Sequence, residues 1–143
     1  MATVLCVDDE PGMQVLYPDV LGCMGVNVVV ARNGVEALGL YRAHHPDIAL
    51  VISDFHMPPG MDGLQVYEAL RREYRCGMPP FVLASCGGRT QMDELRQRVS
   101  EAGAFFFRKT VWHRSAGRNC TASVETRQRN FLSFKFSIPV NQD

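Results

Sequence analysis

Five short apolar runs recur along the chain, and each is closed by polar or turn-forming residues. They are Thr3-Val4-Leu5-Cys6-Val7, Val26 to Ala31, Ile48 to Ser53, Phe81 to Ala84 and Ala104 to Phe107. Such runs read as strands, and the continuous β-branched and aliphatic run Ile48 to Ser53 as one buried on both faces, as in a parallel sheet. The stretches between them carry apolar residues at helical spacing. Met13, Leu16, Val20 and Leu21 mark a helix from Pro11-Gly12 to about Met24, ended by Gly25. Pro18 falls inside it and should kink it unless it sits near the first turn. Asn33-Gly34 enters a second helix with the stripe Val35, Ala37, Leu38 and Tyr41, stopped by Pro46; His44-His45 close that helix. Leu64, Val66, Tyr67, Ala69 and Leu70 define a third, whose polar face carries Arg71, Arg72 and Glu73. A polar fourth helix, Thr90 to Ala102, has sparse apolar positions at Met92, Leu95 and Val99, and Gly103 ends it.

Strands alternating with helices and short loops predict an α/β fold: a doubly wound, five-stranded parallel sheet with helices on both faces and right-handed crossovers. After Trp112 the pattern changes. Residues 113–129 lack an apolar stripe, and Phe134, Phe136 and Ile138 alternate with period two, which suggests a half-buried strand from Phe131 to Ile138. The expected organisation is therefore one domain over residues 1–112 followed by an atypical C-terminal segment, 113–143, where a final helix would normally cover the sheet.

The 143 residues allow one domain with a real core. A hydrophobic share of 46% with 21% charged residues excludes a disordered chain, and no apolar stretch approaches the roughly 20 residues of a membrane span. The N-terminus runs straight into a strand with no secretory pattern, so a cytoplasmic protein is expected. Five scattered cysteines show no metal-ligand or redox spacing, and Cys6 reads as a small core residue. The net charge of zero divides unevenly: residues 1–107 hold eight arginines against thirteen carboxylates, and residues 108–143 hold seven basic residues against two acids. Those positives are spread out with no recognition motif, so neither nucleic acid nor membrane is an expected partner.

The chemistry-bearing residues fall at C-terminal strand ends: Asp8 and Asp9 after the first strand, Asp54 after the third, Ser85 after the fourth, Lys109 after the fifth. In a parallel sheet these ends share one edge, where open α/β folds place ligands. Three adjacent carboxylates repel and call for a cation or raised pKa values. An all-oxygen set suits Mg²⁺, and a hydroxyl and a lysine nearby would contact phosphoryl oxygens. Each residue also has a plain structural use, since an aspartate before a helix or at a turn serves as a cap.

Val7-Asp8-Asp9-Glu10-Pro11, Asp54 with Met57-Pro58 and Met61-Asp62-Gly63, Ala84-Ser85, and Lys109 together resemble the receiver domain of two-component response regulators, over about residues 3–110. The resemblance implies a flavodoxin-like receiver fold. It implies that Asp54 is the phosphoacceptor, taking a phosphoryl group from a sensor histidine kinase or phosphotransfer protein. Asp8, Asp9, Asp54 and the backbone carbonyl of His56 would hold Mg²⁺. Ser85 would be the switch hydroxyl, Lys109 the lysine that pairs with the phosphoryl oxygens, and Phe106 the aromatic switch residue, without a tyrosine's hydroxyl. Such a domain is a signalling phosphoacceptor, not an enzyme beyond its own phosphoryl transfer and hydrolysis, and it acts on a downstream protein target.

The chain departs from the family pattern in three places. The loop Met57 to Gly63 has one residue more than usual and should bulge beside the acceptor. The stretch Gly103 to Lys109 is one residue shorter. Thr110 replaces the usual proline, so a trans Lys109-Thr110 bond is expected, because a non-proline cis bond costs about 2.5 to 4 kcal/mol. With no room for an output domain, the chain reads as a single-domain regulator or a piece of a longer one. A second reading keeps the fold as a phosphorylation-independent interaction module, with a homodimer formed through the edge of the Phe131 to Ile138 segment. A third, a flavodoxin-like cofactor binder, accounts for neither the acidic pair nor Lys109.

Overall fold

The computed structural model describes residues 2–85 and 89–108, all within one unit spanning Met1–Lys109. The C-terminal segment with its expected strand, Lys109, and the Lys109-Thr110 bond lie outside the described residues. Five strands, β1 (Thr3–Val7), β2 (Asn27–Ala31), β3 (Ile48–Asp54), β4 (Phe81–Ser85) and β5 (Phe105–Arg108), form one sheet in the order β2-β1-β3-β4-β5. Every pairing is parallel. Four helices connect them: α1 (Pro11–Gly22), α2 (Gly34–His44), α3 (Gly63–Glu73) and α4 (Arg89–Ala102), with a 3-10 turn at His45–Asp47.

Successive strand residues point to opposite faces, and the core divides accordingly. Leu5, Val7, Val51, Phe81 and Leu83 join one cluster with Ala37 and Tyr41 of α2, Leu64, Val66, Tyr67 and Leu70 of α3, and Val99 of α4. Val4, Cys6, Ile52 and Val82, from the alternate positions, are buried outside that cluster, as are Met13, Tyr17, Val20 and Leu21 of α1. Helices therefore lie on both faces, as the spacing predicted. Cys6 is a buried thiol, and burial together with the charge of Asp8 holds it well above its ordinary pKa.

The ends of the helices follow their sequences. Asn33 caps α2, its Oδ1 accepting the Glu36 amide at 2.8 Å. Asp62 and Gln65 form a reciprocal capping box on α3. Gly25 and Gly103, which close α1 and α4, have φ values of 73° and 86°, a region open to glycine without cost. On the solvent side, Arg42 of α2 donates from Nε and Nη2 to both carboxylate oxygens of Glu73 of α3, at 2.8 to 3.2 Å.

Three expectations about burial need correcting. Helix α1, which continues through Pro18 to Gly22, carries the first. Its buried stripe runs through Tyr17, with Leu16 only half-buried. Val35 is 73% exposed: the side of α2 that reaches the core carries Ala37 and Tyr41, with Leu38 and Leu40 partly buried against it. The run before Asp54 is not buried on both faces along its whole length: Ala49 is exposed and Leu50 half-buried, between Ile48 and Val51, which are buried.

Candidate functional site

Strand register brings the acidic residues together. Val7 pairs with Ser53, so Asp8 follows β1 at the level where Asp54 ends β3. One carboxylate oxygen each from Asp8, Asp9 and Asp54 lies within 4.8 Å of the others. Asp8 is fully buried, Asp54 half-buried and Asp9 exposed, so the cluster opens to solvent on one side. Glu10, not Asp9, occupies the N-cap position of α1 and makes no side-chain cap there, so neither aspartate of the pair caps the helix from that position. Asp8 is held in place instead. Its amide donates to the Ala31 carbonyl at 3.0 Å, its Oδ1 accepts the Glu10 amide at 3.1 Å, and its carbonyl accepts from Gln14 Nε2 at 2.9 Å.

The loop after Asp54 is fixed by backbone contacts. The Phe55 amide donates to the Ala84 carbonyl at 2.9 Å, and the Phe55 carbonyl accepts the Gly63 amide at 2.8 Å. Ser53, buried in β3, donates its hydroxyl to the Asp54 carbonyl at 2.9 Å. Gly63 opens α3 directly against this strand end: a β-carbon there would lie 2.2 Å from the Asp54 carbonyl oxygen. A β-carbon on Gly34 would likewise meet Met61 Cβ of the loop, at 2.8 Å. Between these anchors, Pro58-Pro59 is cis.

Ser85 is buried and stands one step beyond Ala84, the partner of Asp54. It pairs in turn with Arg108, the residue before Lys109. His56 is exposed; with Ser85 and Arg98 of α4 it borders a cleft of about 370 Å³. The Arg98 guanidinium lies 5.9 Å from the Phe55 ring centroid, over the cleft wall. Phe106 pairs with Leu83 and is half-buried against the core that holds α2, α3 and α4. The structure thus gathers Asp8, Asp9, Asp54 and Ser85 at one sheet edge, places Phe106 behind that edge, and leaves Lys109 outside the described residues.

Sequence reading missed Tyr17. Its buried hydroxyl faces Asp8 Oδ2 at 3.5 Å, and burial and the charge of Asp8 hold its phenol pKa well above the ordinary value. Its spacing four residues after Met13 and four before Leu21 was signal enough to place it on the core face of α1. The supporting roles of Ser53 and Gly63 left no such trace.

The donor set is all oxygen, mostly carboxylate, and opens to solvent, which fits Mg²⁺, an ion that keeps several waters and tolerates few protein ligands. Among the described residues no helix is long and apolar enough to cross a membrane.

This chain belongs to the response regulator receiver domain family, which it matches over residues 4–111. It is 44% identical over 83 residues to the sensor histidine kinase GacS of Pseudomonas protegens, a stretch covering 57% of this chain and 9% of that kinase. Among solved structures, it is similar to the response regulator TrrA of Thermotoga maritima in complex with Mg²⁺-BeF, with a TM-score of 0.63, 28% identity, and 78% and 90% of the two chains covered. It shares its fold with the chemotaxis protein CheY4 of Vibrio cholerae, at a TM-score of 0.69 and 24% identity over 93% and 98% of the chains. The chain spans less than a third of the length of the first relatives it matches.

Proposed function

We propose that this receiver domain accepts a phosphoryl group on Asp54, from the phosphohistidine of a sensor kinase or phosphotransfer protein, and signals through altered binding to a downstream protein. The observation that carries this reading is the convergence of the Asp8, Asp9 and Asp54 carboxylates within 4.8 Å at the open edge of the sheet. Three acidic side chains converge there although their mutual repulsion destabilises the fold, as expected of a site built to work with a cation.

Asp8, Asp9, Asp54 and the backbone carbonyl of His56 would hold Mg²⁺, which when bound neutralises charge around the phosphoryl oxygens. Asp54 acts as nucleophile: its carboxylate oxygen forms a bond to phosphorus while the phosphorus–nitrogen bond breaks and the imidazole keeps the electron pair. Its half-exposed position supports access by a kinase, and the Ser53, Phe55 and Gly63 contacts hold its backbone still. Lys109 pairs with the phosphoryl oxygens. Ser85 moves toward them, and Phe106, on the adjacent strand against the α4 side of the core, passes that shift to the α4–β5 face. The receiver domain takes in residues 1–112, residues 113–143 are a segment apart, and the protein works in the cytoplasm.

Incubation with Mg²⁺ and acetyl phosphate tests this. Intact mass should show one labile phosphoryl group on the wild type and none on Asp54→Asn. Labelling that persists in Asp54→Asn assigns the chemistry elsewhere. No labelling of either, with no binding of Mg²⁺ or beryllofluoride, favours a phosphorylation-independent interaction module.

A further inference from the structure

Asp8 is approached by a group that phosphoryl transfer to Asp54 does not require. Tyr17 projects from the middle of α1 and is 5% exposed, and its hydroxyl faces Asp8 Oδ2. Packing alone does not call for a phenol: phenylalanine would fill the same space between α1 and the sheet. A buried hydroxyl without an acceptor costs about 1 to 3 kcal/mol, and the acceptor within reach is the buried carboxylate of Asp8. The two oxygens of Asp8 are thus held separately, Oδ1 by the Glu10 amide and Oδ2 by Tyr17. Both holds oppose the repulsion that would turn this carboxylate away from Asp9 and Asp54.

We infer that Tyr17 is a positioning residue for the cation site, its hydroxyl keeping the Asp8 carboxylate turned toward Asp9 and Asp54. The inference rests on the Mg²⁺ reading above. At 3.5 Å the contact is long beside the 2.5 to 3.0 Å usual for O–H···O. Hydrogen-bond partners of metal ligands are worth about 10- to 100-fold in affinity. The lower end of that range suits a contact this long.

The test is a Mg²⁺ titration of the full chain and of Tyr17→Phe, followed by calorimetry and near-ultraviolet difference spectroscopy. The wild type should give a tyrosine difference band that saturates with the calorimetric isotherm. In Tyr17→Phe the band should vanish and Mg²⁺ should bind about tenfold more weakly, with an unchanged thermal midpoint in EDTA reporting intact packing. Tyr41 and Tyr67 belong to the core on the other face, with Tyr74 packed against it, so the band is assignable to Tyr17. Wild-type Mg²⁺ affinity in Tyr17→Phe, or a band that survives there, overturns the inference and leaves the Mg²⁺ reading standing. A wild type that takes up no Mg²⁺ overturns both. Should Tyr17→Phe not fold, the wild-type band decides: Mg²⁺ binding without one overturns the inference.

Discussion

At Gly63 one methyl group is enough to displace the end of β3. A β-carbon there would meet the Asp54 carbonyl oxygen at 2.2 Å, Leu83 Cδ2 at 2.5 Å and Ser53 Oγ at 3.0 Å. The nearest of these is backbone and cannot rotate aside, so either β3 or the start of α3 must shift. Overpacking of this kind costs about 1 to 3 kcal/mol. Gly63→Ala should lower the unfolding free energy by that amount, read as a lower urea midpoint with an unchanged m-value. It should also slow acetyl phosphate labelling of Asp54, whereas Gly39→Ala, with open space around its β-carbon, should do neither. The Met61-Asp62-Gly63 motif was readable in the chain, and so was the acidic trio, since Asp8 and Asp9 close one apolar run and Asp54 another. The reason for the glycine was not readable, because it depends on the loop folding back so that residue 63 donates to the Phe55 carbonyl. Tyr17 escaped for a different reason: a side chain with an apolar ring and a polar tip fits the stripe and the site equally.

Helix α1 shows how far periodicity reaches at the scale of an element. Apolar spacing located the four helices and five strands of the described residues to within one or two residues, since burying one face requires that spacing in any fold. It did not fix which neighbour of a pair faces inward, as with Leu16 and Tyr17, nor which apolar positions stay exposed, as with Val35 and Ala49. Pro18 is the local conflict in this helix. It is exposed, has no amide hydrogen for the Gln14 carbonyl, and interrupts an otherwise continuous ladder. Tertiary packing of Met13, Tyr17, Val20 and Leu21 on the sheet outweighs that loss. Pro18→Ala restores the donor and removes the ring's clash without touching the core. Alanine is favoured over proline in a helix interior by about 3 kcal/mol, less about 1 kcal/mol for the freer unfolded chain. The variant should therefore be about 2 kcal/mol more stable, read as a higher urea midpoint. A neutral or destabilising result would mean that α1 is bent to a shape only proline suits.

On the scale of the whole molecule, the acidic site and the fold are thermodynamically linked. Asp8 and Asp9 follow β1 and Asp54 ends β3, and they meet only when β1 and β3 pair in the sheet. Bringing the three together costs Coulomb energy: two unit charges 4.8 Å apart repel by about 0.9 kcal/mol even at the dielectric constant of water. A cation that binds the assembled site and not the unfolded chain repays that cost. It adds about 2.7 kcal/mol when present at a hundred times its dissociation constant. On the proposed reading, the thermal midpoint should climb with the logarithm of Mg²⁺ concentration, and NaCl of matched ionic strength should not reproduce the climb. Asp9→Asn should be the more stable protein in EDTA, because one of three like charges is gone, and the less stable one in saturating Mg²⁺, because the exposed ligand is gone. Such a crossing of the two curves comes from a site where folding and cation binding share the same carboxylates, and general ionic screening cannot produce it. Parallel curves for the two proteins would make the acidic edge a surface feature of the sheet, and the case for Asp54 would then rest on its labelling alone.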